Sequence, residues 1–162
     1  TKDVLKFTIK AHGLTDSRIL FDDRASAAIR FEVIASGVGT GTDMTARLFD
    51  ALSGEQYASQ TVSSAQVSSS GARASVTFDD WDKDVEIAGG STKTFRVQMG
   101  FTNFTDKNDN FQIVLRDTDA NVVFRYVDGA KSNEGNMVEL SQGVSAGYFR
   151  LLPMEGPIFV QP

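Results

Sequence analysis

The sequence predicts an all-β fold in which two sheets stack as a β-sandwich, and three observations carry that expectation. Apolar residues recur with a two-residue period in segment after segment, which on a strand places them on one face. Gly, Asn, Asp and Pro residues punctuate these segments at intervals of about ten residues, the spacing of many short strands. Evidence for helix is thin throughout, with room for a short helical turn only within residues 14–22 or around 136–140.

Residues 5–11 (LKFTIKA) open the pattern, with Leu5, Phe7 and Ile9 inward and Lys6 and Lys10 outward, and His12-Gly13 ends it. A polar, turn-prone stretch containing Asp16 and the Asp22-Asp23 pair follows. Residues 27–34 alternate again, Ile29, Phe31 and Val33 against Arg30 and Glu32. Residues 36–43 (SGVGTGTD) read as a loop, because glycine costs conformational entropy in a strand and suits a turn. Residues 44–50 form the next strand, and a turn at Leu52-Ser53-Gly54 leads to a strand at 57–62.

The serine-rich residues 63–71 suit an exposed loop or weak edge strand, and 74–78 resume the alternation. Residues 79–84 (DDWDKD) make an acidic turn around Trp81. Residues 85–87 then reach Gly89-Gly90, a turn expected to lay them beside 95–101, where Phe95, Val97, Met99 and Phe101 share a face. Residues 111–115 and 122–127 are two further strands, and the Asp and Asn residues of 116–121 suit a hairpin turn between them. After a polar loop at 132–136, the last strands fall at 148–152 and 158–160, separated by Pro153 and Gly156-Pro157.

A chain of 162 residues is long enough for one domain with a sizeable core, so residues 1–162 are read as a single domain, 1–115 supplying the core strands and 116–162 additional strands or an extension. Hydrophobic residues make up 41% and charged residues 23%, ordinary globular usage. The net charge is −5, and no basic cluster is long enough to track a phosphate backbone, so nucleic acid is not an expected partner. The chain has no cysteine, which removes disulfides and thiol chemistry, and its one histidine, His12, cannot build a His-rich metal site. No apolar run approaches the roughly 20 residues that span a bilayer as a helix. A chain that starts at Thr1 and ends on Ile158-Phe159-Val160-Gln161-Pro162 is expected to be a processed or excised piece of something longer.

Three acidic clusters have donors of the kind calcium takes, a hard cation that gathers six to eight oxygens from loops. They are Asp80/Asp82/Asp84, Asp106/Asn108/Asp109/Asn110 and Asp117/Asp119/Asn121. None has the glycine an EF-hand needs at its sixth position, since Val85, Phe111 and Val122 stand there. The second cluster, Asp106, Asn108, Asp109 and Asn110, is the candidate calcium site, with plain turn stabilisation by Asp and Asn as the alternative account. His12 stands at a strand end with no G-x-S-x-G motif, and no catalytic residue is assigned. A flat face of Trp81, Tyr57, Tyr126 or Tyr148 would stack on a sugar ring, and Trp81, set among acidic residues, is the ligand-binding candidate; it either covers one end of the sandwich or is exposed for contact.

The segments VLKFTIKA (4–11), ARLFDALSG (46–54), IAGGSTKTFRVQ (87–98) and FQIVLRD (111–117) resemble the immunoglobulin-like β-sandwich modules of large secreted bacterial surface proteins, including surface-layer proteins and adhesins. Residues 123–126 and Gly147-Tyr148 look like the tail such modules often carry. The resemblance lies in strand spacing and turn chemistry, covers most of the chain, and brings no catalytic signature. It implies a non-enzymatic structural or adhesive module, extracellular at the cell surface, whose partners are other domains or copies of the same protein. The alternative is a carbohydrate-binding or accessory module of a secreted glycan-active protein, with a cell-surface glycan as partner. The segment after Leu115 exceeds what a minimal seven-strand sandwich of about 100 residues needs, so extra strands are expected there.

Overall fold

The structure, a computed structural model, describes residues 1–11, 17–23, 27–36, 44–62, 72–100, 109–116, 122–127, 137–141 and 154–160. These residues are all-β, contain no helix and pair into two antiparallel sheets. The strands are β1 (Lys2–Lys10), β2 (Arg18–Phe21), β3 (Ala28–Ser36), β4 (Met44–Asp50), β5 (Gln56–Val62), β6 (Ala72–Phe78) and β7 (Val85–Ala88). They continue with β8 (Thr92–Gly100), β9 (Asn110–Leu115), β10 (Val122–Val127), β11 (Met137–Ser141), β12 (Met154–Glu155) and β13 (Phe159–Val160).

The smaller sheet has the order β1-β8-β4-β5. Clean alternation makes it: in β1, Leu5, Phe7 and Ile9 are buried while Lys6, Thr8 and Lys10 are exposed. The β4–β5 hairpin closes as the sequence predicts. The Asp50 carboxylate accepts from the backbone N–H groups of Leu52 and Ser53 (2.7 and 3.1 Å), and Gly54 takes the positive φ of 78° that this turn requires.

The larger sheet is built from long lanes, each made of two strands in succession. Strands β2 and β3 lie end to end along β10, with Arg18–Leu20 opposite Val127–Arg125 and Ala28 and Ile29 opposite Val123 and Val122. Strands β6 and β7 accompany them on the other side, pairing with β3 and β2 in turn. Strand β9 precedes β10 in the same lane, also against β3. This register corrects two expectations. Strands β9 and β10 do not form a hairpin with each other; both pair antiparallel with β3. Strand β7 does not lie beside β8, because β7 pairs with β2 in the larger sheet and β8 with β1 and β4 in the smaller one. The Gly89-Gly90 turn is therefore a crossing between sheets. It is held by Gly89 N–H to Ser17 O (2.6 Å) and Gly90 N–H to Ala11 O (2.9 Å), with Gly90 at φ 79°.

Residues 18–21 and 137–141, where short helical turns were expected, are strands β2 and β11. The expected loops at 36–43, 63–71 and 132–136 lie wholly or almost wholly outside the described residues, as do the expected strand at 148–152 and Phe101.

One hydrophobic cluster joins the two sheets. Phe7 of β1 stacks on Phe95 of β8 (5.2 Å between centroids) and meets Phe31 of β3 edge-on at 5.7 Å, and Phe21 of β2 reaches Phe95 at 6.3 Å. Each fully buried side chain of this size contributes about 1.5–3 kcal/mol by leaving water. Val122 and Phe124 belong to the same cluster, and Met154 and Phe159 pack against it, so strands β10, β12 and β13 beyond Leu115 share the core.

Strands β12 and β13 extend β9 outward as one interrupted edge, pairing at Leu115 and Val114, then at Phe111 and Asn110. Between them Gly156 donates to Ile113 O at 2.8 Å, and a Cβ added to it would stand 2.2 Å from the carbonyl oxygen of Val4. Val4 is fully buried and lies at the register shift of β1, so the edge of the smaller sheet presses on the edge of the larger one at a point that only glycine fits.

Candidate functional site

Of the candidate calcium ligands, Asp106 and Asn108 lie outside the described residues. Asp109 is buried, Asn110 begins β9 with its backbone between Ser36 and Val160, and both side chains or backbones are already engaged within the protein. In the first acidic cluster Asp80, Asp82 and Asp84 are exposed, and Asp82 accepts a hydrogen bond from Gln56 at 2.8 Å. Among the described residues no group of three or more His, Asp or Glu side chains is arranged to hold a metal ion. Asp117, Asp119, Asn121, His12 and Tyr148 lie outside the described residues, as does the side chain of Tyr126.

Trp81 is described fully, and its place corrects the sugar-stacking expectation. Only 4% of its surface is exposed, whereas a stacking platform needs an open ring face. The indole packs against Phe21 (5.3 Å) and donates from Nε1 to the Ala27 carbonyl at 2.7 Å, while its backbone N–H donates to the Asp23 carboxylate, also at 2.7 Å. A single bridge joins Trp81 to Ala58 of β5, and Asp82 N–H bonds Tyr57 O at 2.8 Å. The acidic turn thus ties the larger sheet to the free edge of the smaller one. Of the flanking aspartates, Asp82 accepts from Gln56 of β5, and Asp79, Asp80 and Asp84 are exposed, so the rim, not the indole, stands in water.

Beside Trp81, Tyr57 is buried with its hydroxyl wedged between two charges. It donates to Asp50 Oδ2 at 2.9 Å and accepts from Lys93 Nζ at 2.6 Å. Burial, and then the adjoining Asp50 carboxylate, push the phenol well above its ordinary value. For Asp50 burial acts upward, but the N–H groups of Ser53 and Leu52, the Tyr57 hydroxyl and the Lys93 charge together outweigh it and hold the carboxyl below its usual range. Every partner here is satisfied, so this trio clamps the β4–β5 turn to β8.

Two open surfaces remain. At the outer edge of the larger sheet Ile158, just before β13, and Val160 on it are 63% and 57% exposed, and Lys2 lies over the half-buried Phe159 ring at 5.7 Å. The outer face of the smaller sheet carries Lys6, Lys10, Arg47 and Arg96, with Asp3 as its one described acid. Lys6 stands directly opposite Arg96 in the β1–β8 ladder. Arg96 lies over the Phe49 ring at 5.0 Å and reaches Asp3 at 3.4 Å. Sequence reading had both features in view as outward lysines and an apolar final strand, but not their grouping, which depends on strand register.

No family model, curated protein or solved structure matches this chain.

Proposed function

We propose that this chain is a non-enzymatic structural or adhesive module, of immunoglobulin-like kind, of a bacterial cell-surface protein of the surface-layer type, and that it works outside the cell through contacts with other domains or copies of itself. The observation that carries the reading is the edge formed by β12 and β13. Two large apolar side chains, Ile158 just before β13 and Val160 on it, stand mostly in water there, and β13 pairs with β9. An outermost strand presents backbone donors and acceptors that an incoming strand satisfies, and apolar side chains beside them add burial to that pairing. Charged or proline residues normally blunt such an edge; here Pro157 and Glu155 interrupt it, while the outward apolar pair is left open.

Sedimentation velocity across a concentration series tests the reading. It predicts reversible self-association that is abolished in an Ile158→Lys/Val160→Lys variant. A chain that stays monomeric at every concentration, and that binds no neighbouring domain of its parent protein, would sink it. The carbohydrate-binding alternative loses Trp81 as a stacking face, because its indole is buried. A different surface supports a glycan partner of narrower chemistry.

A further inference from the structure

The outer face of the smaller sheet carries charge that folding does not use. Among the described residues no carboxylate pairs with Lys6, Lys10 or Arg47. The Nε of Arg96 also has no hydrogen-bond partner, and its terminal nitrogen reaches only the half-exposed Asp3. Lys6 and Arg96 are cross-strand neighbours, and Arg47, opposite Gln98 on β4, lies one diagonal step further. Directly opposed like charges on a sheet cost stability, and the three residues follow an oblique line across β1, β8 and β4, the Cβ atoms of neighbouring members being roughly 5–8 Å apart by strand geometry. In a chain of net charge −5 the concentration of free cations on one flat face has no structural return.

Around these cations lie hydroxyl and amide side chains: Thr8 and Thr94, whose Oγ1 atoms are 3.2 Å apart, Thr45 and Ser59 next to Arg47, and Gln98, whose amide donates to Asp3 at 2.7 Å. We infer that this face binds a linear anionic polysaccharide, one bearing carboxylate or sulfate groups, with Lys6, Arg47 and Arg96 meeting the anions and the Thr, Ser and Gln side chains bonding the sugar hydroxyls. Charge complementarity selects a polyanion, and the chemistry between the cations selects a sugar. Single-stranded nucleic acid is held largely by open aromatic faces, and the one aromatic on this surface, Phe49, is already covered by Arg96. A membrane surface would engage exposed apolar side chains beside the cations, and the described large ones lie in the β4–β5 turn (Leu52) and at the edge by β13 (Ile158, Val160), where the neighbouring cation is Lys2 and not the line of Lys6, Arg96 and Arg47. The inference stands apart from the edge-strand reading, since it uses another surface and either can fail alone.

Isothermal titration at low ionic strength with dextran sulfate and with polygalacturonate, against neutral dextran, tests it. Saturable binding to at least one anionic polymer is expected, with no heat from dextran, and affinity should fall steeply as salt rises. A Lys6→Thr/Arg47→Thr variant should bind roughly tenfold or more weakly while melting no lower than the parent. The Ile158→Lys/Val160→Lys variant should bind as the parent does, which separates this surface from self-association. The relative affinity for the two polymers tells sulfate from carboxylate recognition. Undiminished binding by the Lys6/Arg47 variant, equal binding of neutral dextran, or tighter binding to duplex DNA or phosphatidylglycerol vesicles than to either polysaccharide would overturn the inference.

Discussion

The outer faces of the two sheets handle charge in opposite ways. On the larger sheet four described basic side chains have partners: Arg125 bonds Asp22 at 2.7 Å, Arg116 pairs with Glu32, Arg30 donates to Thr77 at 3.1 Å, and Arg18 reaches Glu86 at 3.8 Å, although its Nε, like that of Arg96, makes no hydrogen bond. Apolar residues pointing to that side, Leu20 and Val114, are buried although they stand outside the main core cluster. On the outer face of the smaller sheet Lys6, Lys10 and Arg47 have no such partner among the described residues, and the only described acid on that face is Asp3. Charge that is paired and buried belongs to the fold, and its removal is read in stability. Charge left free on an open face is read in binding.

The largest effect should come from breaking the buried pair. Asp22 and Arg125 have 5% and 8% of their side chains exposed, so Asp22→Ala removes the carboxylate bonded to a buried guanidinium and should cost about 3–5 kcal/mol in urea unfolding. Replacing both partners, Asp22→Leu with Arg125→Met, should recover much of that loss, because removing one member of a buried pair costs more than replacing both by apolar groups. Little recovery in the double variant would mean that the pair positions something else.

Where the two sheets meet, Gly156→Ala sets a methyl against the Val4 carbonyl, a backbone atom that cannot swing aside. The expected cost is about 1–3 kcal/mol, read as a lower midpoint in thermal unfolding. On the smaller sheet the Asp50 clamp is the exception to the comparison, a charge there that folding does use. Its folded pKa lies below the unfolded value, so its contribution is fully present above the ordinary carboxylate pKa of about 3.9 and is lost as pH falls through the folded value. Asp50→Asn should flatten that acid-side loss in a pH series of melting curves. An unchanged acid limb would remove Asp50 from the account. The smallest effect should be Lys6→Thr/Arg47→Thr, within about 0.5 kcal/mol of the parent or slightly above it, as relief of the Lys6–Arg96 repulsion offsets the lost packing.

Much of this architecture is written in local pattern. The period of two marks β1, β3, β4 and β8 because each presents one face to the core and one to water, so consecutive residues differ. Strand β2 escapes that signal for a physical reason. Ile19, Leu20 and Phe21 are all buried because both sides of the strand are covered, and four residues are too few to show a period. Sheet membership was not legible either. The Gly89-Gly90 turn has hairpin composition, yet the flanking strands go to different sheets, a choice made by the distant partners Ala11 and Ser17.

Trp81 shows the limit at a single residue. Four acidic neighbours within residues 79–84 suggested an exposed rim, while the covering of its ring depends on Phe21, Asp23 and Ala27, more than fifty positions away. One sequence signal did exist. Phe-Asp-Asp occurs at 21–23 and again at 78–80, at the point where each of two neighbouring lanes is interrupted, and Trp81 sits directly after the second. The cationic face was equally hidden, since Lys6, Arg47 and Arg96 are remote in sequence and only register sets them in line.

The most direct test of the division between structural and contact charge is a paired measurement of dextran sulfate affinity and melting temperature in the parent and in the Lys6→Thr/Arg47→Thr variant. The account predicts that affinity falls roughly tenfold or more while the melting temperature holds or rises. Unchanged affinity together with a lowered melting temperature would contradict it, and would place these cations with the charges that hold the fold.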